Sequence, residues 1–242
     1  APYLFPRGIQ QDANDFFVYL INVLDEELKE VQPIKELVSS CFQGEMRSSL
    51  TCQECGFSSQ KPEPFQTLSL PVQCEAFQEV DLSEILKSFC VEEVLEGRNS
   101  WKCEKCDRPV RATKKLEVVK LPRVLVLHLK RFAFDKLCNR VQKVQAQITV
   151  KEGLDALNLS QYIHGYEGDP VFYDIIGTVN HHGPDATSGH YTAHCRNCVY
   201  DEWYTFNDDE VNRIGADTAW RAEEVYLVFL LRREAREASG SA

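Results

Sequence analysis

The sequence predicts an α+β fold in which a helix comes first and strands dominate afterwards. Three observations lead there. Apolar residues Phe16, Phe17, Leu20, Ile21, Leu24 and Leu28 recur at the helical spacing of three and four. From Phe65 onward apolar side chains alternate, or run in short blocks bounded by Pro, Gly and Asn, as strands do. Of three Cys-x-x-Cys pairs, Cys52/Cys55 and Cys103/Cys106 are widely separated, a spacing that suits small β hairpins held by a metal, whereas Cys195/Cys198 has no second pair left to complete a site.

Taken in order, Ala1 to Pro6 carries neither cap nor period, and a helix follows from about Asp12 to Glu30, closed off by Pro33. Asp12 reads as its N-cap, with Asp15 at N3 returning the bond. The same acids at a positive helix end would also suit an arginine-bearing partner. Ser39 to Leu50 is short and mixed, with Gly44 as a turn. Phe65 to Val72 alternates at period two and predicts a strand. Asp81, followed by Glu84, caps a short helix ending at about Cys90. Strands are predicted over Lys114 to Lys120 and Arg123 to Phe134, either side of Leu121-Pro122. Leu125, Leu127 and Leu129 share one face there, while His128 on the other is expected to be packed and hydrogen-bonded. Arg140 to Val150 and Phe172 to Asn180 supply further strands, with a short helix at Leu154 to Tyr162 between them. Glu224 to Leu231 is a last buried strand before a charged, Ala/Ser-rich end expected to fray.

At 242 residues and 43% hydrophobic, the chain can bury one large core or two modest ones. No apolar run approaches the roughly 20 residues of a membrane span, and the first residues show no basic-then-apolar leader. An intracellular setting, cytoplasm and/or nucleus, is therefore expected, with no membrane partner. A net charge of -10 disfavours nucleic acid and favours a basic protein partner.

Under reducing conditions, paired Cys-x-x-Cys spacing points to metal rather than disulfides. Cys52, Cys55, Cys103 and Cys106 make a four-thiolate set of the structural Zn²⁺ kind, with no coordination position left open for chemistry. Cys74 and Cys90 have no such partner and read as buried or incidental thiols. The chemistry sits later, where Ser188-Gly189-His190-Tyr191 precedes Trp203 to Asp208 by one strand's length. Two neighbouring strands would bring the His190 imidazole beside an amide and a carboxylate. A base acting on a thiol or hydroxyl needs a third group to orient it, and Asn207 or Asp208 could be that group.

The ordered set of motifs resembles the catalytic domain of the ubiquitin-specific protease family of deubiquitinases. The residues that carry the resemblance are Gln10-Gln11-Asp12-Ala13, both Cys pairs, Leu121-Pro122 leading to Leu127 through Phe132, His181-His182-Gly183 ahead of Gly189-His190-Tyr191, and Trp203 through Asp208. The resemblance implies a papain-like cysteine-protease fold with a helical thumb (about residues 1–40), zinc-bearing β fingers (41–120) and a β palm (121–232), then a frayed tail (233–242). It implies cleavage of the (iso)peptide bond after ubiquitin's C-terminal glycine, with ubiquitin and ubiquitinated proteins as partners and a monomeric enzyme. By position, His190 resembles the general base, Asn207 its orienting residue and Asp208 an adjacent supporting carboxylate. Gln10, Asp12 and Asp15 fall at the motif that meets the ubiquitin tail, although Asp15 stands where the family more often has glutamate. The family's nucleophile lies in an Asn-x-Cys box upstream of Gln-Gln-Asp-Ala, and none of the ten cysteines has that context. The chain alone is therefore expected to be inactive, either as part of an enzyme whose thiol lies in another segment or, alternatively, as a ubiquitin-binding module without catalysis (a pseudoenzyme or shortened product).

Overall fold

The computed structural model describes residues 5, 10–32, 34, 36–73, 77–135, 140–184 and 188–234, with the backbone alone at 133–135 and 140–142. Pro33, Cys74, Cys138 and tail residues 235–242 lie outside the described residues. No helix among those described is long and apolar enough to cross a membrane.

Helix α1 spans Ala13–Leu28, close to the predicted bounds. Asp12 caps it from an extended backbone (φ -77°, ψ 127°), its Oδ1 accepting from the amides of Asn14 (2.8 Å) and Asp15 (3.0 Å). The reciprocal bond expected from Asp15 is not made among the described residues, and its carboxylate stays exposed. The apolar stripe splits into two ridges. Phe17 packs edge-on against Phe42 and Phe229, and Ile21 is buried, whereas Phe16, Leu20 and Leu24 face outward at 41–49% exposure.

The Ser39–Leu50 expectation needs correction. A short helix, α2 (Leu37–Phe42), precedes a strand that starts at Gly44 rather than turning there. Glycine is required by closeness, since a Cβ at residue 44 would come within 2.3 Å of the Phe65 ring. The strand Gly44–Cys52 sits in a four-stranded sheet ordered 58–65, 44–52, 112–120 and 93–95. At its far end lie the cysteine hairpins. Helix α3 (Leu82–Phe89) has Asp81 as its cap, with Oδ1 accepting from the Ser83 amide at 2.9 Å, as expected.

The larger sheet is ordered 210–214, 202–207, 190–197, 172–182, 225–232, 124–130 and 68–71, with Leu157–Asn158 pairing off the 172–182 strand. Its apolar side packs with α3 into the main core, which includes Leu70, Leu82, Leu125, Leu127, Ile175 and Leu230. Each such side chain stabilises the fold by roughly 1.5–3 kcal/mol relative to exposure.

The predicted strand Arg123–Phe134 is two pieces, Val124–Lys130 and Phe132–Asp135. Arg131 breaks it by turning inward, fully buried, to donate to the carbonyls of Val225 (2.7 Å), Ala146 (2.8 Å) and Ala222 (2.5 Å). Buried charge persists only when hydrogen-bonded in this way. Leu154 to Tyr162 holds the short Leu157–Asn158 strand and a single 3₁₀ turn at Ser160–Tyr162, not a helix. His128 is packed and hydrogen-bonded, as expected.

Candidate active cleft and metal centre

His190 opens the strand His190–Asn197, which lies between Phe172–His182 and Glu202–Asn207. Pairing with the latter runs from Ala193↔Phe206 to Asn197↔Glu202, so His190 and Asn207 project beyond the paired stretch. Buried Trp203 anchors that strand. Gly189 is forced by its backbone (φ +149°), because a Cβ there would lie 2.4 Å from the His182 carbonyl oxygen and 2.7 Å from His181 Nε2. The histidine therefore leaves a turn closed tightly over its neighbours.

His190 Nε2 lies 2.5 Å from Asn207 Oδ1. An amide oxygen only accepts, so Nε2 carries the proton and donates, leaving the lone pair on Nδ1. Among the described residues nothing bonds to Nδ1, and the side chain is 45% exposed. Asp208 Oδ2 is 4.0 Å from Nε2 but 80% exposed, so water screens it. It occupies the turn between Asn207 and Glu210 at φ +52°, a conformation that Asp tolerates. Residue types alone left the orienting group open between these two and the family resemblance implied Asn207; the geometry likewise favours the Asn207 amide.

A cleft of about 460 Å³ is lined by Gln10, Gln11, Asp12, Ala13, Phe16 and the Gly189–Tyr191 segment. It joins the cap of α1 to the histidine. Gln10 Nε2 meets His181 Nε2 at 3.1 Å, tying the two sides together. Asp12 thus shares the cleft with His190, whereas Asp15 lies outside its lining. Burial, reinforced by the Asp12 charge, pushes the Tyr191 hydroxyl up to about 12, so the cleft wall stays neutral there. Behind it, His182 is held at both ring nitrogens, by Glu224 (2.9 Å) and Thr192 (2.8 Å).

The four predicted cysteines converge, with all sulfurs within 4.8 Å of one another. Cys52 and Cys106 are 3.9 Å apart, Cys55 and Cys103 3.7 Å. Tetrahedral coordination with metal–sulfur bonds of about 2.3 Å requires sulfur separations of about 3.8 Å. These residues can therefore hold a metal ion. The Cys55 amide aimed at its sulfur (3.4 Å) leads in bringing the Cys52 thiol down to about 7, against burial. Cys106 is pushed up to about 12, chiefly by its hydrogen bond with Cys55, with burial and the remaining sulfurs adding. Thiols in this mutual conflict are what a bound cation relieves. Val110, Phe57 and Trp101 pack around them, the two rings stacked within 2° of parallel.

Cys90, Cys195 and Cys198 join no metal cluster among the described residues. Burial pushes the Cys90 and Cys195 thiols up, away from the reactive thiolate. Sequence reasoning missed Tyr226, whose hydroxyl reaches Asp12 Oδ2 at 2.5 Å. Its apolar neighbours marked it as core, and a partner 214 positions away leaves no local signal.

Comparison with known proteins converges on one family. The model described as ubiquitin carboxyl-terminal hydrolase matches residues 3–230. Ubiquitin carboxyl-terminal hydrolase 2 of Gallus gallus is 36% identical over 79% of this chain and 52% of its own length. The Homo sapiens protein of that name is 34% identical over 91% and 40%. Ubiquitin carboxyl-terminal hydrolase 48 of Danio rerio is 32% identical over 86% and 19%. The chain thus spans about half or less of the length of these curated relatives. Among solved structures, the SAGA Ubp8/Sgf11/Sus1/Sgf73 DUB module bound to ubiquitin aldehyde aligns at TM-score 0.74 and 30% identity, covering 94% of this chain and 50% of that one. The same module bound to monoubiquitin aligns at 0.75. The predicted α+β fold agrees with these neighbours. Their multi-subunit makeup gives the monomer expectation no support.

Proposed function

This chain belongs to the ubiquitin carboxyl-terminal hydrolase family, and from that premise we propose that it forms the histidine side of a thiol-dependent deubiquitinase. Its reaction would cleave the (iso)peptide bond after ubiquitin's C-terminal glycine. The observation that carries the proposal is the His190–Asn207 contact, which puts the proton on Nε2 and leaves Nδ1 free at the cleft.

In this reading Nδ1 removes a thiol proton and later returns it to the leaving amine. Asn207 holds the ring in the working tautomer throughout. Asp208 offers a weak, solvent-screened attraction to the imidazolium. Asp12 receives a cationic side chain of the ubiquitin tail. The thiol comes from a segment outside this chain, a reading supported by the cleft lining, which contains none of the eight described cysteines. The outward ridge of Phe16, Leu20 and Leu24, whose first member lines the cleft, offers that segment an apolar bed. The cysteine tetrad holds structural Zn²⁺, which belongs in a reducing cellular interior.

Ubiquitin bearing a fluorogenic C-terminal amide tests this. The chain alone should bind it without turnover. Joined to the preceding segment of its own protein, it should turn over, and His190→Ala should then abolish kcat with KM little changed. Turnover by the isolated chain would contradict the placement of the thiol, and an extended protein unaffected by His190→Ala would contradict the base.

A further inference from the structure

A line of hydrogen bonds runs from the core of the large sheet to the cleft. Ser69 Oγ lies 3.2 Å from His128 Nδ1, His128 Nε2 lies 2.9 Å from Tyr226 Oη, and Tyr226 Oη lies 2.5 Å from Asp12 Oδ2. These groups come from three neighbouring strands and the cap of α1.

The polarity of the line is fixed from one end. A carboxylate cannot donate, so the phenolic proton of Tyr226 points at Asp12. The phenolic oxygen must then accept from His128 Nε2–H, which leaves His128 Nδ1 to accept from the Ser69 hydroxyl. Burial keeps the middle of the line uncharged. It lowers His128 below its ordinary value and raises Tyr226, with the Asp12 hydrogen bond adding to the latter. Only Asp12 carries charge, at the cleft end.

An ionised carboxylate offers about four acceptor sites. Asp12 spends two on the Asn14 and Asp15 amides and one on Tyr226. About one is left for a ligand, and the torsions of the side chain are pinned from both oxygens. We propose that Tyr226 and His128 are positioning residues that hold the Asp12 carboxylate in a single orientation at the cleft, ready for a guanidinium or ammonium on a partner's extended tail. The ligand half of this rests on the ubiquitin reading given above; the positioning half does not.

Two readouts on the chain as it stands separate the halves. Amide hydrogen exchange at Asn14 and Asp15 reports how firmly Oδ1 is held. Calorimetric titration with ubiquitin reports the ligand contact. Tyr226→Phe keeps the ring and removes the hydroxyl. It should accelerate exchange at those two amides about tenfold while leaving the Gly44–Cys52 strand unchanged, and should weaken ubiquitin about tenfold, as expected for one lost hydrogen bond to a charge. His128→Phe should behave like Tyr226→Phe, and His128→Gln, which retains an N–H donor, should restore most of both signals. On an Asp12→Ala background, Tyr226→Phe should change ubiquitin affinity by less than about twofold, because the group it positions is gone.

Unchanged exchange at Asn14 and Asp15 in Tyr226→Phe would overturn the positioning role, showing that the helix cap alone suffices. An equal loss of affinity with and without Asp12 would overturn action through that residue. If the wild-type chain binds no ubiquitin, the reading of the cleft's ligand fails, and the exchange rates still decide the positioning.

Discussion

Replacing Gly189 with alanine tests whether the turn before His190 is closed as tightly as the geometry indicates. Two costs combine there. The backbone φ of +149° is one that alanine adopts only with strain, about 1–3 kcal/mol. The new Cβ would also lie 2.4 Å from the His182 carbonyl oxygen and 2.7 Å from His181 Nε2. Overpacking of that kind costs about 1–3 kcal/mol more. Gly153 is the uncrowded comparison, because its φ is also positive, +83°, though closer to the left-handed region that L residues visit, and nothing lies within 4 Å of its would-be Cβ. Gly153→Ala should therefore show a backbone cost alone. In a chain of this size each kcal/mol moves Tm by about 2–4 °C. Thermal unfolding followed by circular dichroism should place Gly189→Ala about 10 °C below wild type, and Gly153→Ala only about 4 °C below. Melting temperatures within about 2 °C of each other for the two variants would refute the steric argument.

Two further outcomes follow from the same reasoning. Zinc should be present at close to one ion per chain, and its removal by a chelator, or Cys103→Ser, should collapse the small cluster around Cys52, Val110 and the Phe57–Trp101 stack; Trp101 fluorescence and local protease resistance that do not respond would contradict a structural metal. Glu117 is almost buried and receives Arg47 (2.9 Å), Lys115 (2.8 Å) and His164 (2.7 Å). Burial pulls its carboxyl up, but the bonds from Lys115 and Arg47 and the charge of His164 outweigh that and hold it below its ordinary value of 4.5. A depressed carboxyl stabilises the fold above the unfolded-state value and loses that contribution as pH falls through its folded value. Urea unfolding should show wild type more stable than Glu117→Gln at pH 7, with the gap closing below about pH 4.5; a gap independent of pH would contradict the ion-pair account.

The legible parts of this molecule were those with local causes. Asp12 and Asp81 announced helix starts because a cap bonds amides two and three residues on, and Cys-x-x-Cys announced the four-sulfur cluster because each knuckle is local. His190 and Asn207 were legible because one hairpin joins them. What escaped depends on distant packing. Gly44 read as a turn because the Phe65 ring that forbids a side chain there belongs to the neighbouring strand. Arg131 read as part of a continuous strand because its carbonyl partners at Ala222 and Val225 are 91 and 94 residues away in sequence. Tyr226 looked apolar by company, and only the fold brings its hydroxyl to Asp12. Residue types alone did not choose between Asn207 and Asp208, which only the family resemblance separated, since the physical choice turns on distance and exposure.

The claim on which the functional account rests is the protonation of one ring. Nitrogen-15 NMR of the histidine side chains reads it directly, with the His190 resonances assigned by their loss in His190→Ala. Neutral His190 should carry its proton on Nε2 and leave Nδ1 bare, and Asn207→Ala should allow the two tautomers to mix. A proton found on Nδ1 in the wild-type chain, or a tautomer indifferent to the loss of Asn207, would contradict the account.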